Sequence, residues 1–248
     1  MLSLTIIREH TESPIEIKII RDTISTDSVR SEILSPGFGY IRITQFQENT
    51  GAQFKEAFKS LFANKEDQKG VIIDLRNNPG GLLTASIEVV DTVLDGGLIV
   101  YTEGRTPTSN LKYHASKGDM LDGLPIVVLV NGGSASAAEI VAGALQDHRR
   151  ALVLGTNSFG KGSVQTVFPL GDDRGIKLTT ARYFTPNKVS IQALGIKPDI
   201  IVESAEIKIR NKLTPTREKN LLGHLSGSLD QEKIVKNKSA IDDNQLHD

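Results

Sequence analysis

Twice in this sequence a short apolar run rich in β-branched residues ends in a glycine-rich turn and gives way to helical spacing. Val71-Ile72-Ile73-Asp74-Leu75 runs into Asn77-Asn78-Pro79-Gly80-Gly81, after which apolar residues recur at helical intervals from Ala85 to Leu94. Ile126-Val127-Val128-Leu129-Val130 runs into Asn131-Gly132-Gly133 and then into the small-residue segment Ser134 to Ile140. Runs of this kind are buried on both faces, which places them in a covered parallel sheet. Strand, turn and helix in succession define an α/β fold, because each helix must cover the sheet that its strand joins.

Other segments fill in this frame. Gly39 to Thr44 reads as a strand, and Asn49 or Thr50 caps a helix whose stripe is Phe54, Ala57, Phe58, Leu61 and Phe62. Ala151 to Leu154 is a third buried strand, followed by the loop Gly155 to Gly162; Val164, Thr166 and Phe168 then alternate in β fashion, so no helix follows this loop. At the start, Leu2, Leu4 and Ile6 alternate with polar residues, as do Ile15, Ile17 and Ile19, which predicts a β-hairpin. Beyond Glu203 the chain has no aromatic residue, and residues 204–248 read as a polar tail, partly helical or disordered.

Composition removes several kinds of chemistry. With 29 Lys+Arg against 30 Asp+Glu the net charge is -1, so no basic field exists to collect phosphates, and nucleic-acid binding is disfavoured. The absence of cysteine excludes disulfides, thiolate catalysis and cysteine-based metal sites. The apolar runs fall far short of the roughly 20 residues that span a bilayer, and the first residues lack the basic flank and apolar stretch of a signal peptide.

Ser136 stands out among the residues that remain. It opens a helix made almost wholly of Ala and Ser, directly after a glycine-rich turn, where backbone N–H groups lack helical partners. A nucleophile there could pass the oxyanion formed on attack to those amides, with the Ala137 N–H nearest. The competing reading is close helix–sheet packing by small residues. Lys161, flanked by Phe159, Gly160 and Gly162, could sit in a partly apolar site that depresses its pKa. To act as a base near neutral pH it needs a depression of roughly 3 units, about 4 kcal/mol against the charged form. Ser136 and Lys161 would then form a serine–lysine nucleophile and base; otherwise the lysine is simply solvated.

Gly155-x4-Gly160-Lys161 also matches a phosphate-binding loop up to its last position, where Gly162 replaces the Ser or Thr that ligates magnesium. The strand that follows argues against this nucleotide-binding alternative. Of the histidines, only His114 and His148 lie where a triad could use them, and His148, at a polar helix end after Asp147, reads as structural.

Asn131 to Ile140 together with Phe159-Gly160-Lys161-Gly162-Ser163-Val164-Gln165 resembles the carboxyl-terminal processing peptidases, or tail-specific proteases. The resemblance extends through Gly39 to Phe46, Asp74 to Gly81, Arg182 to Pro186 and Gly195 to Asp199, and covers roughly residues 24–203. It implies that Ser136 is the nucleophile, that Lys161 is the general base and that Gln165 positions the lysine. It also implies an oxyanion hole made by the Ala137 N–H and that of Gly81 or Gly80. Asp147 falls where some members carry an important acidic residue, in a structural or lysine-orienting role.

The implied fold is a crotonase/ClpP-like α/β core of repeated β-β-α units, using neither metal nor cofactor. In the family a PDZ domain precedes this core and captures the substrate's C-terminal carboxylate. Residues 1–23 resemble only its last strands, residues 24–203 the catalytic core. The expectation is a truncated chain that retains the proteolytic core. Its expected activity is that of a serine endopeptidase cutting proteins with apolar C-termini near those ends, in the periplasm or cell envelope. A homo-oligomer or an adaptor protein is a further partner to consider. The alternative from another class is a non-catalytic peptide-binding or regulatory remnant.

Overall fold

The computed structural model describes residues 2–203 apart from 10, 12, 21–26, 36, 63–67 and 173. The tail read at residues 204–248 lies outside the described residues. The elements, in order, are β1 (Leu2–Ile6), β2 (Ile15–Ile19), β3 (Val29–Ser35), β4 (Phe38–Ile43), α1 (Thr50–Leu61), β5 (Gly70–Asp74), α2 (Leu83–Val93), β6 (Gly97–Gly104) and β7 (Lys112–Ala115), then β8 (Ile126–Val130), α3 (Ala137–Asp147), β9 (Ala151–Gly155), β10 (Ser163–Gly171), β11 (Arg174–Phe184) and β12 (Ile200–Ile201).

The two β-branched runs occupy the middle of a six-stranded sheet ordered β12-β9-β8-β5-β4-β3. Pairing is parallel from β12 through β4, and only the edge strand β3 runs antiparallel. Ile73 and Val128, directly paired in β5 and β8, are both fully buried. This is the mixed α/β fold that the alternation of strands and helices predicts.

A second sheet of four strands, ordered β10-β11-β6-β7, is antiparallel throughout. The helix α3 touches β9 of the large sheet and β6 of the small one. Every residue from Ala137 to Leu145 is buried, as a helix packed on several sides requires. Its small residues permit the close approach: a β-carbon on Gly143 would lie 2.9 Å from both Ile196 Cδ1 and Thr185 Cγ2. On α1 the stripe forms as its spacing predicts, with Phe54 and Phe58 buried edge to face at 5.0 Å. Asn49 precedes α1 without a side-chain cap, however; the Thr50 hydroxyl accepts the Gln47 N–H at 2.8 Å instead.

In the β1–β2 hairpin the register pairs Leu2 with Ile19, Leu4 with Ile17 and Ile6 with Ile15, so six aliphatic side chains share one face.

At the C-terminal end of β5 the fully buried Asp74 is held by three side chains. The Arg76 guanidinium grips both its oxygens, at 2.9 and 2.7 Å; Tyr40 donates its hydroxyl at 2.6 Å and Arg42 donates at 3.2 Å. Burial alone would raise the Asp74 pKa, but the hydrogen bonds from Arg76 and Tyr40 outweigh it and hold the carboxyl below its ordinary value. A carboxyl lowered in the folded state stabilises the fold above its ordinary pKa, and the contribution disappears as pH falls through the lowered one. We expect the urea midpoint of the wild-type chain to fall more steeply below about pH 4 than that of Asp74→Asn; parallel pH profiles would show that Asp74 is not the coupled group.

Candidate active site

The glycine-rich turns after β5 and β8 meet at the C-terminal edge of the large sheet, where open α/β sheets commonly bind their ligands. Short polar side chains lace the two turns together. Ser134 Oγ donates to Leu75 O at 2.8 Å, and the Ala135 N–H donates to Asn78 O at 2.9 Å. Asn131 Oδ1 accepts the N–H groups of Asn77 and Gly133, at 2.9 and 3.0 Å. Asn78, fully buried, donates to Ile43 O at 2.8 Å and accepts the Gly80 N–H at 2.9 Å. These bonds satisfy backbone groups that two irregular turns would otherwise leave unpaired.

Ser136 stands at the junction, immediately before α3, with φ 56° and ψ -112°. A residue with a β-carbon adopts such a backbone only at a cost of order 1–3 kcal/mol, so the surrounding bonds must impose it. A β-carbon on Gly80 would lie 2.6 Å from Ala135 O, 2.8 Å from Ser136 Cβ and 3.0 Å from Ala137 N, so this glycine backbone lies directly against the serine. At Gly81, φ is 145° and a β-carbon would come within 2.0 Å of Phe46 O, so only glycine fits there. Phe46 fixes that turn from the other side, donating to Gly80 O and accepting from the Leu82 N–H. The N–H groups of Ala137 and Gly81 have no acceptor among the described residues. Ser136 and Ala137 are therefore brought against Gly80, and Gly81 follows Gly80 in the same turn.

The Lys161 loop is fastened to the same helix by a residue that the sequence reading did not single out. Glu139, one turn into α3 and fully buried, accepts four hydrogen bonds. The N–H groups of Ser136 and Lys161 donate to Oε2 at 2.7 and 2.9 Å; Ser158 Oγ and the Gly160 N–H donate to Oε1, each at 2.6 Å. One carboxylate thus spans the backbone of the serine and that of the lysine.

This clamp also corrects the expected apolar enclosure of Lys161. Turning the backbone N–H groups of residues 160 and 161 inward leaves the side chain of Lys161 exposed, and Phe159 is 67% exposed. The loop leads into β10, not into a helix, which excludes the phosphate-loop geometry for Gly155 to Lys161. Gln165 lies at a register shift in β10, so extended backbone separates it from Lys161. Asp147 sits at the far end of α3, about 15 Å along the axis from Ala137, and its carboxylate accepts the Asn187 N–H at 2.8 Å. His148 caps the same end, with Nε2 2.7 Å from Leu98 O, and His114 lies on β7, so α3 separates His148 from Ser136. Among the described residues no cluster of three or more His, Cys, Asp or Glu could hold a metal ion, and no helix is long and apolar enough to cross a membrane.

Replacing Glu139 by Ala would leave three backbone N–H groups and a hydroxyl without their acceptor. We expect Glu139→Ala to lose at least about 3 kcal/mol in urea unfolding, and Glu139→Gln to lose less because its amide keeps one oxygen. A loss below about 1 kcal/mol for Glu139→Ala would mean that the clamp does not hold the two segments.

Comparison with known proteins places this geometry. The model of the family described as Peptidase family S41 matches residues 37–202. The carboxy-terminal-processing protease of Bartonella bacilliformis is 46% identical over 235 residues, covering 94% of this chain and 54% of the relative. The carboxyl-terminal-processing protease of Synechocystis is 41% identical over 218 residues, covering 86% and 50%. The structure of a photosystem II D1 C-terminal processing protease superposes with a TM-score of 0.65 at 34% identity, covering 77% of this chain and 52% of that one. The chain thus spans about half the length of the curated relatives it matches. With its matched region running from the turn before β4 to the end of the large sheet, the chain belongs to peptidase family S41.

Proposed function

We propose that this chain carries the catalytic part of a serine endopeptidase that cuts polypeptides near apolar C-termini through Ser136 and Lys161. The observation that carries this reading is the strained Ser136 packed against Gly80, with the N–H groups of the next residues along each turn, Ala137 and Gly81, having no acceptor among the described residues. Backbone strain of this kind is sustained where the fold has a use for it.

In the proposed reaction the neutral Lys161 amine takes the Ser136 hydroxyl proton as Oγ attacks the scissile carbonyl carbon. The carbonyl oxygen becomes an oxyanion and accepts from the Ala137 and Gly81 N–H groups. Collapse of the tetrahedral intermediate breaks the C–N bond, and the Lys161 ammonium returns its proton to the leaving amine. Water, deprotonated by Lys161, then hydrolyses the acyl-enzyme and regenerates the hydroxyl. Lys161 is exposed, so its amine is open to an incoming polypeptide. Gln165 is proposed to position the lysine, while Asp147 is left as a structural residue of the far helix end.

Residues 24–203 are the proposed core, of the crotonase/ClpP-like kind, and the β1–β2 hairpin is read as PDZ-derived. The periplasm or cell envelope is the proposed location. The exposed Lys161 favours one second reading, a peptide-binding chain that does not cut. Incubation of the full chain with an unfolded protein bearing an apolar C-terminus separates the two. We expect wild type to release C-terminal fragments, and Ser136→Ala and Lys161→Ala to be slower by at least about 10³-fold. Equal cleavage by all three would overturn the serine–lysine mechanism, and binding without cleavage by wild type would establish the second reading.

A further inference from the structure

β3 is the outer strand of the large sheet, and among the described residues no strand pairs with its free side. Which of its backbone groups face that side follows from its pairing with β4. The Thr44 N–H donates to Ser28 O at 2.9 Å, so Ser28 and Thr44 form a hydrogen-bonded antiparallel pair. Such pairs alternate with non-hydrogen-bonded ones, so Arg30 opposite Arg42 and Glu32 opposite Tyr40 are the next two. The residues between them, Val29, Ser31 and Ile33, therefore aim their N–H and C=O groups away from β4, at the free edge. Ser31 is exposed there and Ile33 is 61% exposed. A row of this kind is a template for a further strand.

The side chains favour a copy of the same strand. Arg30 lies directly opposite Arg42, a like-charge pair that costs stability, and it is exposed with no acidic partner among the described residues. Glu32, opposite Tyr40, is likewise exposed without a basic partner among them. The regular part of β3 runs from Val29 to Ile33, ahead of the register shift, and Ser31 is its centre. We propose that β3 pairs antiparallel with β3 of a second copy of this chain, with the two Ser31 residues facing each other across a two-fold axis. Ser31 then exchanges hydrogen bonds with its counterpart, as Val29 does with Ile33 of the second copy. Arg30 meets Glu32 of the second copy at a non-hydrogen-bonded position, where side chains approach most closely, and symmetry repeats the ion pair. Charges on an edge strand ordinarily deter pairing. Here an unrelated strand would need a cation and an acid at the same spacing and in the same order, whereas a second copy supplies both. Ile33 gains the neighbouring Val29 of the second copy, a residue that in this chain packs against the core. The two β4 strands then run antiparallel, so the candidate sites lie at opposite edges of one continuous sheet and neither blocks the other.

The test is sedimentation velocity on the full chain over a range of concentrations, a readout that does not depend on proteolysis. An edge-strand contact buries little surface, so we expect a reversible dimer with a Kd of the order of 10 µM. Arg30→Glu and Glu32→Arg should each weaken it at least about tenfold, because each places like charges opposite one another across the axis. The double exchange should restore the affinity to within about threefold of wild type. Arg30→Glu should not lower the urea midpoint of the monomer, since it replaces the like charge facing Arg42. Ser31→Pro removes an outward N–H and no bond to β4, so it should fold and stay monomeric; if it does not fold, the charge exchange decides. A wild-type chain that is monomeric at about 200 µM would overturn the proposal. So would a folded Ser31→Pro that still dimerises, or a double exchange that dimerises no better than the single variants.

Discussion

The Glu139 carboxylate is the interaction on which the site depends. Its four donors come from two segments that are distant in sequence: the Ser136 turn, and the loop carrying Ser158, Gly160 and Lys161. A buried carboxylate is tolerated only when its oxygens are fully hydrogen-bonded, and four donors fill the lone-pair positions of two oxygens. Burial therefore makes the contact demanding, since loss of any donor leaves part of a carboxylate unpaired in a low-dielectric interior. Ser158 extends the tie outward, accepting the Ile196 N–H at 2.6 Å while donating to Glu139. The loop after β9 is thus fixed to α3 on one side and to the segment before β12 on the other.

That arrangement explains how an unfavourable backbone can persist at Ser136. The strain is local, but what opposes its relaxation is spread over several bonds. The N–H of Ser136 is held by Glu139, the preceding N–H of Ala135 by Asn78 O, and the turn beyond by Ser134 and Asn131. Below these turns, Asp74 with Arg76, Arg42 and Tyr40 fixes the end of β5, from which the Asn77–Gly81 turn departs. Each of these residues acts on the backbone, so the serine is positioned mainly by where its own chain is allowed to run.

The parts of the fold that follow from local periodicity were legible in the sequence. The two β-branched runs, the Phe54 and Phe58 stripe and the helix opening at Ser136 each carry their signal within a dozen residues. The small antiparallel sheet was not legible as such, because β6 and β11 pair across some eighty residues and no local pattern records that choice. The exposure of Lys161 was hidden for a related reason: its neighbours Phe159 and Gly160 look apolar in sequence, but side-chain direction is set by where the backbone N–H groups point. Glu139 did leave a signal. Ser136-x-x-Glu139 is the spacing of a capping box at a helix start, in which the glutamate returns to the serine N–H. Its further bonds to the Lys161 loop came from tertiary structure alone.

The same carboxylate bears on which residue can move the proton in the proposed reaction. Glu139 is the acidic group bound to the backbone of Ser136, the proposed nucleophile, and on proximity alone it would be the natural base for that serine. Its acceptor positions, however, are committed to four donors that do not take part in the chemistry. Accepting a proton from the Ser136 hydroxyl would require breaking at least one of them, at the cost of leaving a buried donor unpaired. Lys161 carries no such commitment, since among the described residues only its backbone is held and its side chain is exposed. In the proposed reaction the carboxylate therefore spends its hydrogen-bonding capacity on position, and proton transfer is the part proposed for the amine.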